Sequence, residues 1–162
     1  MCWCVTIATS APLSGVTVSG PWPEDGSPPP PLHFAAISAE EFEGELINLY
    51  RSFFKGQFLY DVGSDTGCGC GLNRRYSTSY YEGTTTVNYY ADESPLALIE
   101  FIRKHTQAED LEMYIVWEDD RLKEPITYVE IDSSVLNIDN YFEFESRRFY
   151  RILKFSQIVK KE

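Results

Sequence analysis

Histidine is nearly absent: His33 and His105 are the only two in 162 residues, so chemistry built mainly on imidazole is disfavoured. Long apolar runs are missing too. No stretch approaches the ~18 consecutive apolar residues that a membrane span needs, and no charged-then-apolar leader opens the chain, so the sequence predicts a cytoplasmic protein without a membrane partner. Positive charge is scarce, with 14 Lys and Arg against 25 Asp and Glu and a net charge of −11. Such a field repels phosphate backbones and anionic lipid, which argues against generic nucleic-acid binding. The sequence also has no internal repeat.

What is present suits one domain. With 43% hydrophobic and 15% aromatic residues, the chain can bury one core over residues 1–162. The charge is uneven: residues 147–162 carry +5 and the remainder −16. The plainer reading is a closing element whose basic side chains pair with the acidic body; the sharper one is a basic arm for an acidic partner.

Residues 2–8, CWCVTIA, read as a strand with Cys2, Cys4 and Thr6 on one face and Trp3, Val5 and Ile7 on the other. Residues 11–31 hold seven of the nine prolines and read as an extended surface loop, with a minor edge strand at 16–18. A short strand follows at 33–37. Ser38 and Glu41 form a capping-box pattern that predicts a helix to about Phe54, with Phe42, Leu46, Leu49 and Phe53 on its apolar face. Strands are expected at 57–62 and 84–90, with a loop between them from Gly63 to about Ser79. Ser94-Pro95 starts a second helix ending near His105. Residues 111–117 and 126–131 read as a strand pair around an acidic turn, and aromatic strands at 141–145 and 149–155 close the chain. Two helices among six or seven strands, without regular alternation, predict an α+β domain with a mainly antiparallel sheet.

The chemically loudest feature is two Cys-x-Cys pairs, Cys2 with Cys4 and Cys68 with Cys70. Without an export signal, disulfides are the weaker expectation. Residues two apart on a strand point to one side, so one ion can reach both, and a loop carrying two more thiols can close a tetrahedral site. Gly67, Gly69 and Gly71 flank the second pair, permit positive φ and free N–H groups for thiolate sulfur. A structural four-cysteine site for a soft metal, zinc first and Cu(I) second, is the resulting expectation. Inert buried thiols and a redox pair at Cys68 and Cys70 are its competitors. Asp61 and Asp65 flank this loop, as carboxylates near turns commonly do, and Glu118-Asp119-Asp120 reads as a solvated turn rather than a hard-metal site.

MCWC at the start, YDVGSDTGCGCG at 60–71, MYIVWEDD at 113–120 and the aromatic close YFEFESRRFYRI resemble a group of small uncharacterised bacterial proteins. In that group an MCxC start, a GCGCG segment and a Trp–acidic turn come in the same order. The resemblance implies a cytosolic protein whose two cysteine pairs belong together, and it carries no activity. The MC start alone also resembles the amino-terminal nucleophile hydrolases, including class II glutamine amidotransferases. That likeness implies Cys2 as nucleophile once Met1 is removed. Those enzymes often use an Asn-Gly pair as oxyanion donor and are longer, whereas this chain has no Asn-Gly dipeptide.

Residues 73–90, NRRYSTSYYEGTTTVNYY, hold five tyrosines, six serines or threonines and two arginines, with one acid. Rigid amphipathic rings beside short hydroxyls are the make-up of adaptable binding loops. Arg74 and Arg75 suit a phosphate or carboxylate, and Tyr76, Tyr80 or Tyr81 suits stacking, so the expected partner is a protein or a small anionic ligand. The plainer alternative is a sheet strand, because Thr and Tyr are good strand formers. Binding, rather than turnover, is the function this composition favours.

Overall fold

The computed structural model describes residues 2–12, 34–38, 45–64, 69–73, 76–89 and 93–155. The Pro-rich stretch from 13 to 31, the strand expected at 16–18, His33, Glu41 and Phe42 lie outside them.

The opening run of β-formers becomes β1 (Trp3–Thr9), and every residue of it except Cys4 is buried. In chain order there follow β2 (Phe34–Ser38), α1 (Glu45–Phe53), β3 (Phe58–Ser64), β4 (Tyr76–Tyr81), β5 (Thr84–Tyr89), α2 (Glu93–His105), β6 (Leu111–Trp117), β7 (Thr127–Asp132) and β8 (Arg148–Leu153). Six strands form one sheet in the order β2-β3-β1-β6-β8-β7, antiparallel throughout except for the parallel β7–β8 pair. The architecture is α+β, as the composition and pattern predict.

Strand alternation divides the core in two. Trp3, Val5 and Ile7 join Val62, Met113, Ile115 and Ile152 beneath Leu98, Ile99 and Ile102 of α2. On the other face Ala8, Leu59, Tyr114, Val116 and Phe149 pack with Tyr50 and Phe54 at the α1 end. Val5 and Ile7 are 0% exposed, and full burial of such a side chain stabilises by about 1.5–3 kcal/mol. A strand covered on both faces belongs at the sheet centre, and β1 lies there.

Ser38 is the last residue of β2, the described part of α1 starts at Glu45, and the helix start expected after Ser38 lies outside the described residues. Two sequence expectations change. β6 and β7 do not pair, because β8 lies between them. Their connection is held elsewhere: the Tyr114 hydroxyl donates to the Lys123 carbonyl at 2.7 Å, and the Ile126 and Thr127 N–H groups donate to the Arg147 carbonyl. Residues 141–145 are not a strand. The Tyr150 hydroxyl takes both the N–H and the carbonyl of Glu143, at 2.9 and 3.0 Å, in place of a strand partner, while Phe142 turns into the core.

Two of the basic residues in the close of the chain pair with the body, while Lys160 and Lys161 lie outside the described residues. Arg148 binds Glu143 and Glu145, and Arg151 binds Asp110 at 3.0 Å and Glu130 at 3.3 Å.

A buried acid fastens α1 to the sheet. Glu112 on β6 is 8% exposed and accepts from the N–H groups of Lys55 at 2.7 Å and Gly56 at 3.0 Å, just past the helix end. Gly56 is there for space. A Cβ on it would stand 2.8 Å from both the Ala8 Cβ and the Thr9 nitrogen. Removing the carboxylate orphans two donors, so Glu112→Ala is expected to destabilise the fold by about 2–3 kcal/mol in urea denaturation. A loss under about 0.5 kcal/mol would show the clasp to be idle.

Candidate functional site

The structure separates the cysteines it describes. Cys4 packs with the α1-side core, whereas Cys70 packs against the α2-side core with Trp3 and Val5. Cys2 lies close enough to Cys4 for the charge of one to act on the other. Cys4 and Cys70 thus pack against different halves of the core, and Cys68, the fourth thiol of the expected metal site, lies outside the described residues. No group of three or more His, Cys, Asp or Glu side chains among the described residues is arranged to hold an ion. No disulfide links Cys2, Cys4 and Cys70 to one another.

The Gly-rich loop has a different use. The β1–β3 ladder ends at Val5–Val62, which leaves Trp3 without a strand on that side. A short 3-10 turn, Gly69–Leu72, fills the place. There the Trp3 N–H donates to the Cys70 sulfur at 3.3 Å. Gly69 makes the approach possible, since a Cβ on it would meet the Trp3 carbonyl oxygen at 2.6 Å. The sequence predicts positive φ for these glycines; among the described residues only Gly83 is a glycine with positive φ. Leu72 is wholly buried, and its carbonyl accepts from the Tyr141 hydroxyl at 2.8 Å. Above this turn the Trp3 and Trp117 rings stack at 3.8 Å, with Phe144 edge-on to Trp3 at 5.6 Å.

Cys4 sits in a polar island on the α1 side. Arg121, delivered by the 3-10 turn Glu118–Asp120, reaches Asp61 of β3 at 2.7 Å. Tyr50 and the wholly buried Thr6 complete the island. Burial pushes the Cys4 thiol from its ordinary 9.0 up to about 11, against the opposing pull of Arg121. Burial likewise raises the Asp61 carboxyl, again opposed by Arg121. The thiol therefore stays protonated near neutrality, the reverse of what a nucleophile or a redox sensor needs. The acidic turn is engaged as well. Asp120 binds Lys123 at 2.6 Å and accepts from Ser146 at 3.1 Å, and the Lys123 and Ser146 hydrogen bonds hold its carboxyl below the usual range.

The expected loop from Gly63 to Ser79 instead ends in a strand. β4 pairs with β5 from Tyr76–Tyr89 to Tyr81–Thr84, and the two form a separate ribbon outside the six-stranded sheet. Glu82 and Gly83 turn the chain with φ of 48° and 80°. Two successive positive values are those of a tight hairpin turn, for which a glycine at the second position is well suited. Tyr76, Tyr80 and Tyr81 are thus strand residues; Arg74 and Arg75 lie outside the described residues.

Compared with family models, curated proteins and solved structures, the chain matches none. No helix among the described residues is long and apolar enough to cross a membrane.

The raised Cys4 pKa has a readable consequence. The unfolded thiol ionises near 9 and the folded one near 11, so the stability it contributes is complete below pH 9 and lost between pH 9 and 11. The unfolding midpoint should fall less steeply over that interval in Cys4→Ala than in the parent. At pH 8, alkylation of Cys4 in the native protein should run about a hundredfold slower than after unfolding. Equal rates in the two states would contradict a protonated, half-buried thiol.

Proposed function

We propose that the protein works by binding rather than by turnover, and that it presents the β4–β5 ribbon, flanked by Arg74 and Arg75, to the surface of another protein. The observation that carries this reading is the ribbon itself, a Tyr-, Ser- and Thr-rich pair of strands standing apart from the main sheet. A two-stranded ribbon is marginal alone in water. Tyrosine supplies rigid contact area at small entropic cost, and short hydroxyls supply adaptable hydrogen bonds.

A protein partner suits the shape better than a small molecule at this place. Small-ligand sites are concave and enclose most of their ligand, while a ribbon offers faces and edges. The two arginines give the partner a chemistry: a surface with carboxylates, met by guanidinium forks. The reading rests on the composition of the ribbon and does not depend on the expected four-cysteine metal site.

Quantitative crosslinking in the cells that make the protein tests the proposal, with the parent compared against the variant Arg74→Ala, Arg75→Ala, Tyr80→Ala and Tyr81→Ala. The variant should keep its melting temperature within a few degrees and lose at least about ninety per cent of one specific crosslinked species, as removal of central aromatic and arginine anchors does. Undiminished crosslinking by the folded variant overturns the proposal. Global unfolding of the variant also overturns it, because the residues would then belong to the sheet core.

A further inference from the structure

A groove of about 780 Å³ has none of Cys2, Cys4 and Cys70 in its lining. Arg103 and Gln107 at the end of α2, Ser133 and Ser134 just past β7, and Lys154 and Phe155 just past β8 line it. Its size falls within the range of about 300–1,000 Å³ that small-molecule sites occupy. Three distant pieces of chain converge there.

Its charge is the first anomaly. In a protein of net charge −11, four of the ten described Lys and Arg side chains are committed to carboxylates. Arg121 holds Asp61, Lys123 holds Asp120, Arg148 holds Glu143 and Glu145, and Arg151 holds Asp110 and Glu130. Arg103 and Lys154 are exposed and make no ion pair among the described residues. Two uncommitted cations therefore line one concavity.

The surroundings are prepared for negative charge. The carbonyls at a helix end would repel an anion, but here they are occupied. The Thr106 hydroxyl donates to the carbonyls of Ile102 at 2.8 Å and Arg103 at 3.4 Å, and the Phe155 N–H donates to the Thr106 carbonyl at 2.9 Å. Two carboxylates are hydrogen-bonded to the backbone of lining residues: Asp132 accepts from the Ser134 N–H at 2.8 Å, and Asp110 accepts from the Lys154 N–H at 2.8 Å and has its charge offset by Arg151.

The second anomaly is Ser133. It is 1% exposed, and its hydroxyl has no hydrogen-bond partner. A buried hydroxyl without a partner is uncommon and calls for one. The ring of Phe155, 46% exposed, supplies an apolar wall to the same groove.

We propose that this groove binds a small phosphate monoester with a planar organic part. Arg103 and Lys154 take the phosphate charge, Ser133 and Ser134 donate to its oxygens, and Phe155 packs on the organic part. A phosphate monoester is close to a dianion at neutral pH and offers three acceptor oxygens, which matches two cations and two hydroxyls better than a carboxylate does.

The test is a titration of the full-length, isotope-labelled protein with phenyl phosphate, followed through backbone amide resonances. Benzoate and inorganic phosphate serve as comparison probes. Saturable shifts at Arg103, Gln107, Ser133, Ser134 and Phe155 are expected, with a Kd below about 1 mM and benzoate at least about tenfold weaker. Inorganic phosphate should shift the same amides more weakly, since it lacks the part that meets Phe155. The double variant Arg103→Gln, Lys154→Gln should lose at least about tenfold in affinity at unchanged melting temperature, Ser133→Ala should weaken binding, and Arg151→Gln should leave it unchanged. Four results each overturn the proposal: no saturable shift up to about 10 mM, shifts spread over the basic surface, equal affinity for benzoate, or undiminished binding by the folded double variant.

Discussion

Burial of both faces of β1 is the constraint on which the rest of the structure depends. Val5 and Ile7 need cover from α2, while Thr6 and Ala8 need it from the α1 side, so neighbours must stand on both edges and layers on both faces. β3 and β6 satisfy the edges. Where the β1–β3 ladder stops, at Val62 opposite Val5, the turn Gly69–Leu72 supplies the missing partner through the Cys70 sulfur. The same alternation that makes β1 a central strand sends Cys4 to the α1 side, while Cys70, in the turn beside β1, packs with the α2-side core.

Much of this architecture is legible in the residues themselves. The run LEMYIVW coincides with β6, and the α2 start at Ser94-Pro95 and end at His105 lie within a residue of the observed bounds. These elements have strong local signals: dense β-formers in one, a cap with a first-turn proline and an apolar face in the other. The β4 strand is harder to read, because YSTSYY has no apolar–polar alternation. Its signal is the Glu82-Gly83 pair between two stretches of β-formers, a hairpin signature that composition alone obscures.

What stays hidden in the sequence is non-local. Nothing near Thr127 announces that β8, more than a dozen residues later, will insert between β6 and β7. Glu112 reads as a polar position on a half-exposed strand, yet it is buried and clasps the end of α1. The groove is equally invisible beforehand, since Arg103, Ser133 and Lys154 acquire a common meaning only when α2, β7 and β8 end beside one another. The cysteine pairs show the opposite failure. Their spacing is conspicuous in the chain, while their surroundings are set by the core each described thiol packs against and by the close approach at Gly69, where an added Cβ would meet the Trp3 carbonyl oxygen at 2.6 Å.

The account turns on the β4–β5 ribbon being an appendage of the fold rather than a part of its core. Native-state amide hydrogen exchange measures that difference directly. Amides of Tyr76–Tyr81 and Thr84–Tyr89 that pair within the ribbon should exchange through local opening, with protection at least about a hundredfold below that of β1 and β6. Protection of the ribbon equal to that of β1 would contradict the account, because the ribbon would then open only when the whole protein unfolds.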